Sequence, residues 1–323
     1  MLGTHLELVV SLTDAQRSAA TLVLGGSGFL GAHAVELARE ESRRRGSGEV
    51  VSWGRTRRAL SPGVRSVVAD ALRPGALETR LDAERPARIL MVAALARTGD
   101  CERSPALARA TNTELPRRVA RWCSAAGARL VHVSSDLVFG STDAPPGGFR
   151  EEHPPGPLSV YGASKADGEA AVLEECPAAL VVRLPLLYGD SGGRGLGASD
   201  SLLAAIERGD RPGLFTDEWR TPLEVHCAAR ALIELIFRPD VPAGILHVAG
   251  PERVQRHELG LAVLRAAGRS ELEAHRLVRA VTRAEATGDA SRPCDVSLDC
   301  ARARALLTSP LPGLAAGLRA CAR

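Results

Sequence analysis

Lysine is nearly absent from this 323-residue chain: of its 41 basic residues, 40 are Arg and one, Lys165, is Lys. Tyrosine is almost as scarce, present only as Tyr161 and Tyr188, and aromatics make up 3% of the residues. So few aromatic rings leave no platform on which bases could stack. The formal charge is only +3, and no basic run exceeds Arg43-Arg44-Arg45, which excludes an electrostatic footprint for nucleic acid or a membrane surface. No apolar run approaches the ~18 residues of a membrane span, and the first residues lack a basic stretch followed by an apolar one. Neither a transmembrane helix nor a signal peptide is therefore predicted. The seven cysteines, running from Cys101 to Cys321, are an odd and scattered set with no C-x-x-C pair and no His at zinc-ligand spacing. They read as small core residues of a protein in the reducing cytoplasm, and no metal site is expected.

What the chain does have is an ordinary globular composition, 45% apolar and 24% charged, enough for one large α/β domain with a smaller appendage. Short apolar runs alternate with segments of helical spacing. Thr21–Leu24 reads as a strand that breaks into glycines, followed by a helix over Ala32–Arg45. Strands follow at Val50–Trp53, Val64–Val68 and Arg88–Val92, then a helix at Leu115–Ala126, a strand at Leu130–Ser135, a helix at Tyr161–Glu174 and a strand at Leu180–Leu184. That alternation predicts right-handed βαβ units and a Rossmann-type, doubly wound parallel sheet covered on both faces. Beyond Tyr188 the texture becomes Gly-rich, then mostly helical. The expected organisation is an N-terminal extension over 1–19, a nucleotide-binding domain over 20–189 to which 223–250 returns, and a smaller, mostly helical substrate domain built from 190–222 and 251–323.

The glycine turn Gly25-Gly26-Ser27-Gly28-Phe29-Leu30-Gly31 follows a strand and opens a helix. The first glycine permits the tight turn, the second lets a pyrophosphate approach the backbone, and the third lets helix and strand pack closely. The helix N-terminus then supplies N–H donors to phosphate. A dinucleotide site is expected there, contacted by Gly25, Ser27, Gly28, Phe29, Leu30 and Gly31. The second strand ends in Ser52-Trp53-Gly54-Arg55, with Arg57 and Arg58 close behind and no carboxylate to repel a 2′-phosphate. NADPH is the expected cofactor, with NADH as the alternative. Asp70, with Ala71 beside it, follows the third strand and is a candidate partner for the adenine amine.

The lone Lys falls four residues after one of the two tyrosines, so Tyr161 and Lys165 share one face of a helix. A free phenol, with a pKa of ~10, is a sluggish acid near neutrality, and a nearby ammonium lowers that value. The three rotatable donors of Lys165 can also hold ribose hydroxyls, a task the planar fork of Arg suits poorly. A serine hydroxyl from Ser134-Ser135-Asp136 would steady a substrate oxygen beside the phenol. Together these groups make a proton-donating site for carbonyl reduction.

On these residues the chain resembles the extended short-chain dehydrogenase/reductase family, through Gly25–Gly31, Tyr161-Gly162-Ala163-Ser164-Lys165 and Ser134-Ser135-Asp136. Within that family it is most similar to the dTDP-4-dehydrorhamnose reductase branch. The likeness there runs through Val133-Ser134-Ser135-Asp136-Leu137-Val138-Phe139-Gly140, Val182-Arg183-Leu184, Arg220-Thr221-Pro222 and His247-Val248-Ala249-Gly250-Pro251, and spans about residues 20 to 310. The resemblance implies Ser135, Tyr161 and Lys165 as the catalytic set. It implies a cofactor wall at Ala93, Ala94 and Ala96, with Asn112 on the following helix and Arg183 near the nicotinamide. Asp136, Glu151 and Arg220 fall at substrate-side positions, a solvated loop carboxylate being the alternative for Glu151. Where the branch has Thr-Asp-Tyr this chain has Ser135-Asp136-Leu137, which puts one substrate contact in question.

The implied substrate is a small molecule, the 4-keto group of a nucleoside-diphosphate-6-deoxysugar. Three rival functions stand beside it: an epimerase or dehydratase with resident NAD, a ketoreductase of a non-sugar metabolite, and a non-catalytic cofactor-binding regulatory subunit. A homodimer is the expected assembly if the chain self-associates.

Overall fold

The computed structural model describes residues 20–286 and 292–321, so the segment expected as an N-terminal extension lies outside the described residues. Seven strands form one sheet: β1 (Thr21–Leu24), β2 (Val50–Gly54), β3 (Val64–Val68), β4 (Arg88–Met91), β5 (Arg129–Ser135), β6 (Leu180–Leu184) and β7 (Gly244–His247). Their spatial order is β3-β2-β1-β4-β5-β6-β7, and every neighbouring pair is parallel. Parallel sheets are covered on both faces, which is why these strands read as continuous apolar runs. In β1 all four residues are buried. Val23 joins the core on one face, and Leu22 and Leu24 join the core on the other.

The first core is closed by α1 (Phe29–Arg45), through Ala34, Val35, Leu37 and Ala38. The opposite face is closed by α2 (Ala76–Glu84), α3 (Leu115–Ala126) and α4 (Val160–Glu175). Helix α5 (Val225–Phe237) packs on α1, and β7 then extends the sheet beside β6. The region from Leu186 onward also builds a separate apolar cluster, in which Tyr188 and Leu202 meet Leu259, Leu264 and Leu318. Short two-residue and three-residue strand pairs tie this second lobe together: Gly213–Phe215 with Arg279–Val281, and Trp219–Arg220 with Val254–Gln255. Among the described residues no helix is long and apolar enough to cross a membrane.

Two local differences from the sequence reading bear on function. Helix α1 begins at Phe29, not Ala32, and its first turn already packs inward through Leu30 and the buried Gly31. Between β4 and α3 the chain makes two short helices and a π-helical turn at Ala110–Glu114, where a plain loop and helix were expected. The chain leaves β1 toward β2 and β3 on one side, while β4 to β7 lie on the other. The order reverses between β1 and β4, the crevice where open α/β sheets bind ligands.

Candidate active site

A cleft of about 470 Å³ lies along the carboxyl ends of the strands. The glycine turn after β1 forms its floor. Gly25 sits at φ +101°, and a Cβ there would stand 2.5 Å from the Ala93 nitrogen, which would separate β1 from β4. A Cβ on Gly31 would stand 2.1 Å from the Gly25 carbonyl oxygen, so only glycine lets α1 start this close to the turn. The N-cap residue Gly28 offers no side-chain cap, which leaves the first N–H groups of α1 without an intrahelical partner. N–H groups at a helix N-terminus that no capping side chain engages suit the diphosphate of a dinucleotide.

Tyr161 and Lys165 stand in the first turns of α4, where Ser159 caps the helix by accepting the Gly162 N–H at 3.1 Å. Lys165 is 1% exposed, and its Nζ donates to the Val133 carbonyl at 2.7 Å and lies 3.4 Å from His132 Nε2. Burial pulls its pKa down to about 8, partly offset by Glu169. His132 is fully buried and held well below its usual range by that burial and by Lys165, so it stays neutral and its Nε2 can accept from the ammonium.

The Tyr161 ring is buried against Cys101 and Ala108. Burial pushes its phenol up to about 12, opposed by a side-chain hydrogen bond with Ser135 and reinforced by Asp136 and Cys101. The expected lowering of this phenol by Lys165 is thus not realised. Desolvation dominates, and the ammonium is turned to Val133 and His132. The Ser135 hydroxyl also donates to Asp136 Oδ1 at 3.0 Å, making a chain from phenol to hydroxyl to carboxylate.

Asp136 opens onto the second lobe. Its Oδ2 lies 3.9 Å from Arg220 Nε and has no hydrogen-bond partner among the described residues. Burial raises this carboxyl to about 6 against the pull of Arg220. Arg220 also faces Glu218, which Arg292 holds with two hydrogen bonds. Arg256 lies beside this group, lowered to about 10 by burial despite the nearby Glu218.

Most of the residues singled out from the sequence do share the cleft. The six turn residues line it, as do Arg55, Asp70 and Ala71 from the β2 and β3 ends, and Ala93, Ala94 and Ala96 after β4. Ser135, Tyr161 and Lys165 complete its inner end. Others lie elsewhere. Arg57 and Arg58 fall outside the lining because the chain turns away after Thr56, and Arg58 lies by Gly192 of the second lobe.

Asn112, the only asparagine in the chain, lies behind the wall. Its side chain accepts from Leu95 N at 2.9 Å and donates to Leu95 O and to Ser164 Oγ, so it braces the β4 loop against α4. Arg183 is fully buried in a pair with Glu169, its guanidinium 4.8 Å from the Phe139 ring centroid, and does not face the cleft. Glu151 is buried too, and pins its loop to the sheet by accepting the His247 N–H at 3.0 Å. Asp136 and Arg220 meet each other next to the cleft and not within its lining. Sequence reasoning did not single out Arg194, which lines the mouth; its one signal is a lone charge inside a glycine-rich loop.

A parallel nucleotide-binding sheet whose switch-point turn faces a helix-borne Tyr–Lys pair across one cleft defines an extended short-chain dehydrogenase/reductase. The family described as RmlD substrate binding domain matches residues 19–323, and the chain belongs to it. The chain is 36% identical over 235 residues to a dTDP-4-dehydrorhamnose reductase of Streptomyces griseus, covering 70% of this chain and 69% of that protein. It is also 30% identical over 223 residues to methionine adenosyltransferase 2 subunit beta of Xenopus laevis, covering 68% of this chain and 64% of that protein. In fold it is similar to a dTDP-4-dehydrorhamnose reductase from Bacillus anthracis in complex with NADP. That likeness has a TM-score of 0.76 at 23% identity, over 94% of this chain and 97% of that one.

Proposed function

We propose that this chain is an NADPH-dependent reductase of a carbonyl, the 4-keto group of a nucleoside-diphosphate-6-deoxysugar. The observation that carries the reading is the gathering of Ser135, Tyr161 and Lys165 in the cleft that the glycine turn floors. The similarity to dTDP-4-dehydrorhamnose reductases supports the substrate class. When bound, NADPH supplies the two electrons and the hydrogen that reduce the carbonyl carbon. A diphosphate would rest on the N–H groups of α1, Arg55 would face a 2′-phosphate, and Lys165 would hold ribose hydroxyls.

Tyr161 acts as the acid. A phenol held near 12 keeps its proton in the free cleft and gives it up only to a stronger base, the alkoxide that forms as the carbonyl is reduced. Ser135, which donates to Asp136 in the free cleft, would turn its hydroxyl proton to the carbonyl oxygen and hold that oxygen beside the Tyr161 phenol. The charged group around Asp136, Arg220 and Arg256 would meet the sugar nucleotide on the second-lobe side. The odd, scattered cysteine set suits a reducing compartment, and we place the protein in the cytoplasm.

The test is the loss of reduced-nicotinamide absorbance when NADPH and a dTDP-4-keto-6-deoxysugar are mixed with the protein, in step with formation of the 4-hydroxy product. The similarity to a methionine adenosyltransferase beta subunit favours one second reading, a cofactor-binding subunit of another enzyme. Tight NADPH binding with no turnover across keto-sugar nucleotides would replace the reductase reading with that one.

A further inference from the structure

The segment Asp190–Gly197, which enters the second lobe, crosses back over the outer mouth of the cleft and touches the start of α1 in three places. The Asp190 carbonyl lies 2.8 Å from His33 Nε2. Gly197 sits so close to Phe29 that a Cβ would stand 2.4 Å from the ring. Between them Arg194 reaches the glycine turn itself, donating from Nη1 to the Ser27 carbonyl at 2.7 Å and from Nη2 to the Gly28 carbonyl at 3.3 Å.

The loop is built to present this side chain. Ser191 is buried and bonded to Asp200 through both its N–H and its hydroxyl. Its Oγ accepts the N–H groups of Arg194 and Leu196, and its carbonyl accepts Arg194 Nε at 2.8 Å. The glycines at 192, 193, 195 and 197 all take positive φ, so the path of the loop belongs to this sequence.

A helix N-terminus, Arg58 and the carboxylate of Asp190 surround Arg194. Its guanidinium lies at the positive end of α1, where the partial charge of the helix already favours an anion. Burial disfavours its charge, the Arg58 guanidinium adds to that, and Asp190, whose Oδ1 accepts the Gly192 N–H, offsets part of it. A guanidinium has five N–H groups, and the three used here leave two without a partner among the described residues.

We propose that Asp190–Gly197 is a strap over the cofactor cleft and that Arg194 is its phosphate ligand, donating its two remaining N–H groups to the diphosphate common to NADPH and NADH. The inference rests on the cofactor reading above and adds to it an outer ligand supplied by the second lobe. Arg194 thereby gives the second lobe a direct contact with the bound dinucleotide, beside the carbonyl contacts it already makes with the glycine turn.

The test is binding, read by fluorescence titration of NADPH and of NADH and by the rate at which each is displaced. A charge-assisted pair of hydrogen bonds sets the scale at about ten- to a hundredfold. Arg194→Gln is expected to weaken both dinucleotides by the same factor and to speed their release. Arg55→Gln is expected to weaken NADPH alone. Arg194→Lys, which keeps the charge and loses the fork, should fall between Arg194→Gln and the wild type. Arg194 is exposed, so an unchanged melting temperature of the free variant serves as the check on folding. Equal affinities for wild type and Arg194→Gln overturn the strap alone, as does a loss confined to NADPH. A wild-type protein that binds neither dinucleotide overturns the cofactor reading and the strap with it.

Discussion

Arg183 and Glu169 form a two-point ion pair sealed from water, Nε on Oε1 at 2.9 Å and Nη2 on Oε2 at 2.7 Å, one helical turn beyond Lys165. The pair locks β6 to α4 from beneath. Because Glu169 also partly offsets the loss of charge on Lys165, the pair bears on the site without touching it. Removing one partner leaves a buried charge alone, which typically costs about 3–5 kcal/mol. Arg183→Met should therefore lower the unfolding free energy by about that much in urea. The double variant Arg183→Met, Glu169→Leu should recover a large part of it, and a single variant as stable as wild type would contradict the buried pair.

Tyr161→Phe removes the acid and retains the ring that packs on Cys101 and Ala108. Turnover should fall by about 10²–10⁴-fold, the usual weight of a positioned general acid. The NADPH dissociation constant should stay close to the wild-type value. Retained turnover would remove Tyr161 from the chemistry.

Lys165 has a pKa near 8 in the free cleft, and an anionic dinucleotide favours its charged form. Binding should draw in a proton once the pH exceeds about 8, so NADPH affinity should decline as pH rises through that value. The decline should vanish in Lys165→Met, and calorimetry in two buffers of different ionisation enthalpy would count the proton directly. Lys165→Arg should bind cofactor poorly, since its larger fork must fit between Val133 and His132.

Asp136 gives a stability signature of known sign. Its carboxyl is raised from 3.8 to about 6, so between those values the folded protein holds a proton that the unfolded chain has released. Stability must then fall as pH rises through this window. Relative to Asp136→Asn, which cannot titrate, wild type should lose up to about 3 kcal/mol between pH 4 and 7. Parallel curves for the two proteins would show that Asp136 is not desolvated as described.

The sheet was legible because each strand is buried on both faces and so appears as an unbroken apolar run between glycines. Tyr161, Lys165 and Ser135 were legible because four-residue helical spacing and strand-end position are local properties. Arg183 was misjudged for the converse reason. In a strand buried on both sides the pattern does not say which face a charge takes, and its partner Glu169 comes from another element. Asn112 acts through a π-helical turn, which has no period that a sequence displays. Arg194 gains its meaning from a contact across 166 positions of chain, visible only once the two lobes are laid together.

The burial of Lys165 has a practical corollary. A lysine-specific protease finds one cleavable bond in the whole chain, Lys165–Ala166, and the side chain it must grip is 1% exposed on a helix packed against β5. Native protein should be invisible to such an enzyme. Every cut molecule would record one event, the lifting of α4 from the sheet, and two fragments on a gel would report how often the catalytic helix opens. Slower cutting with a dinucleotide present would then measure how firmly the ligand holds that helix down.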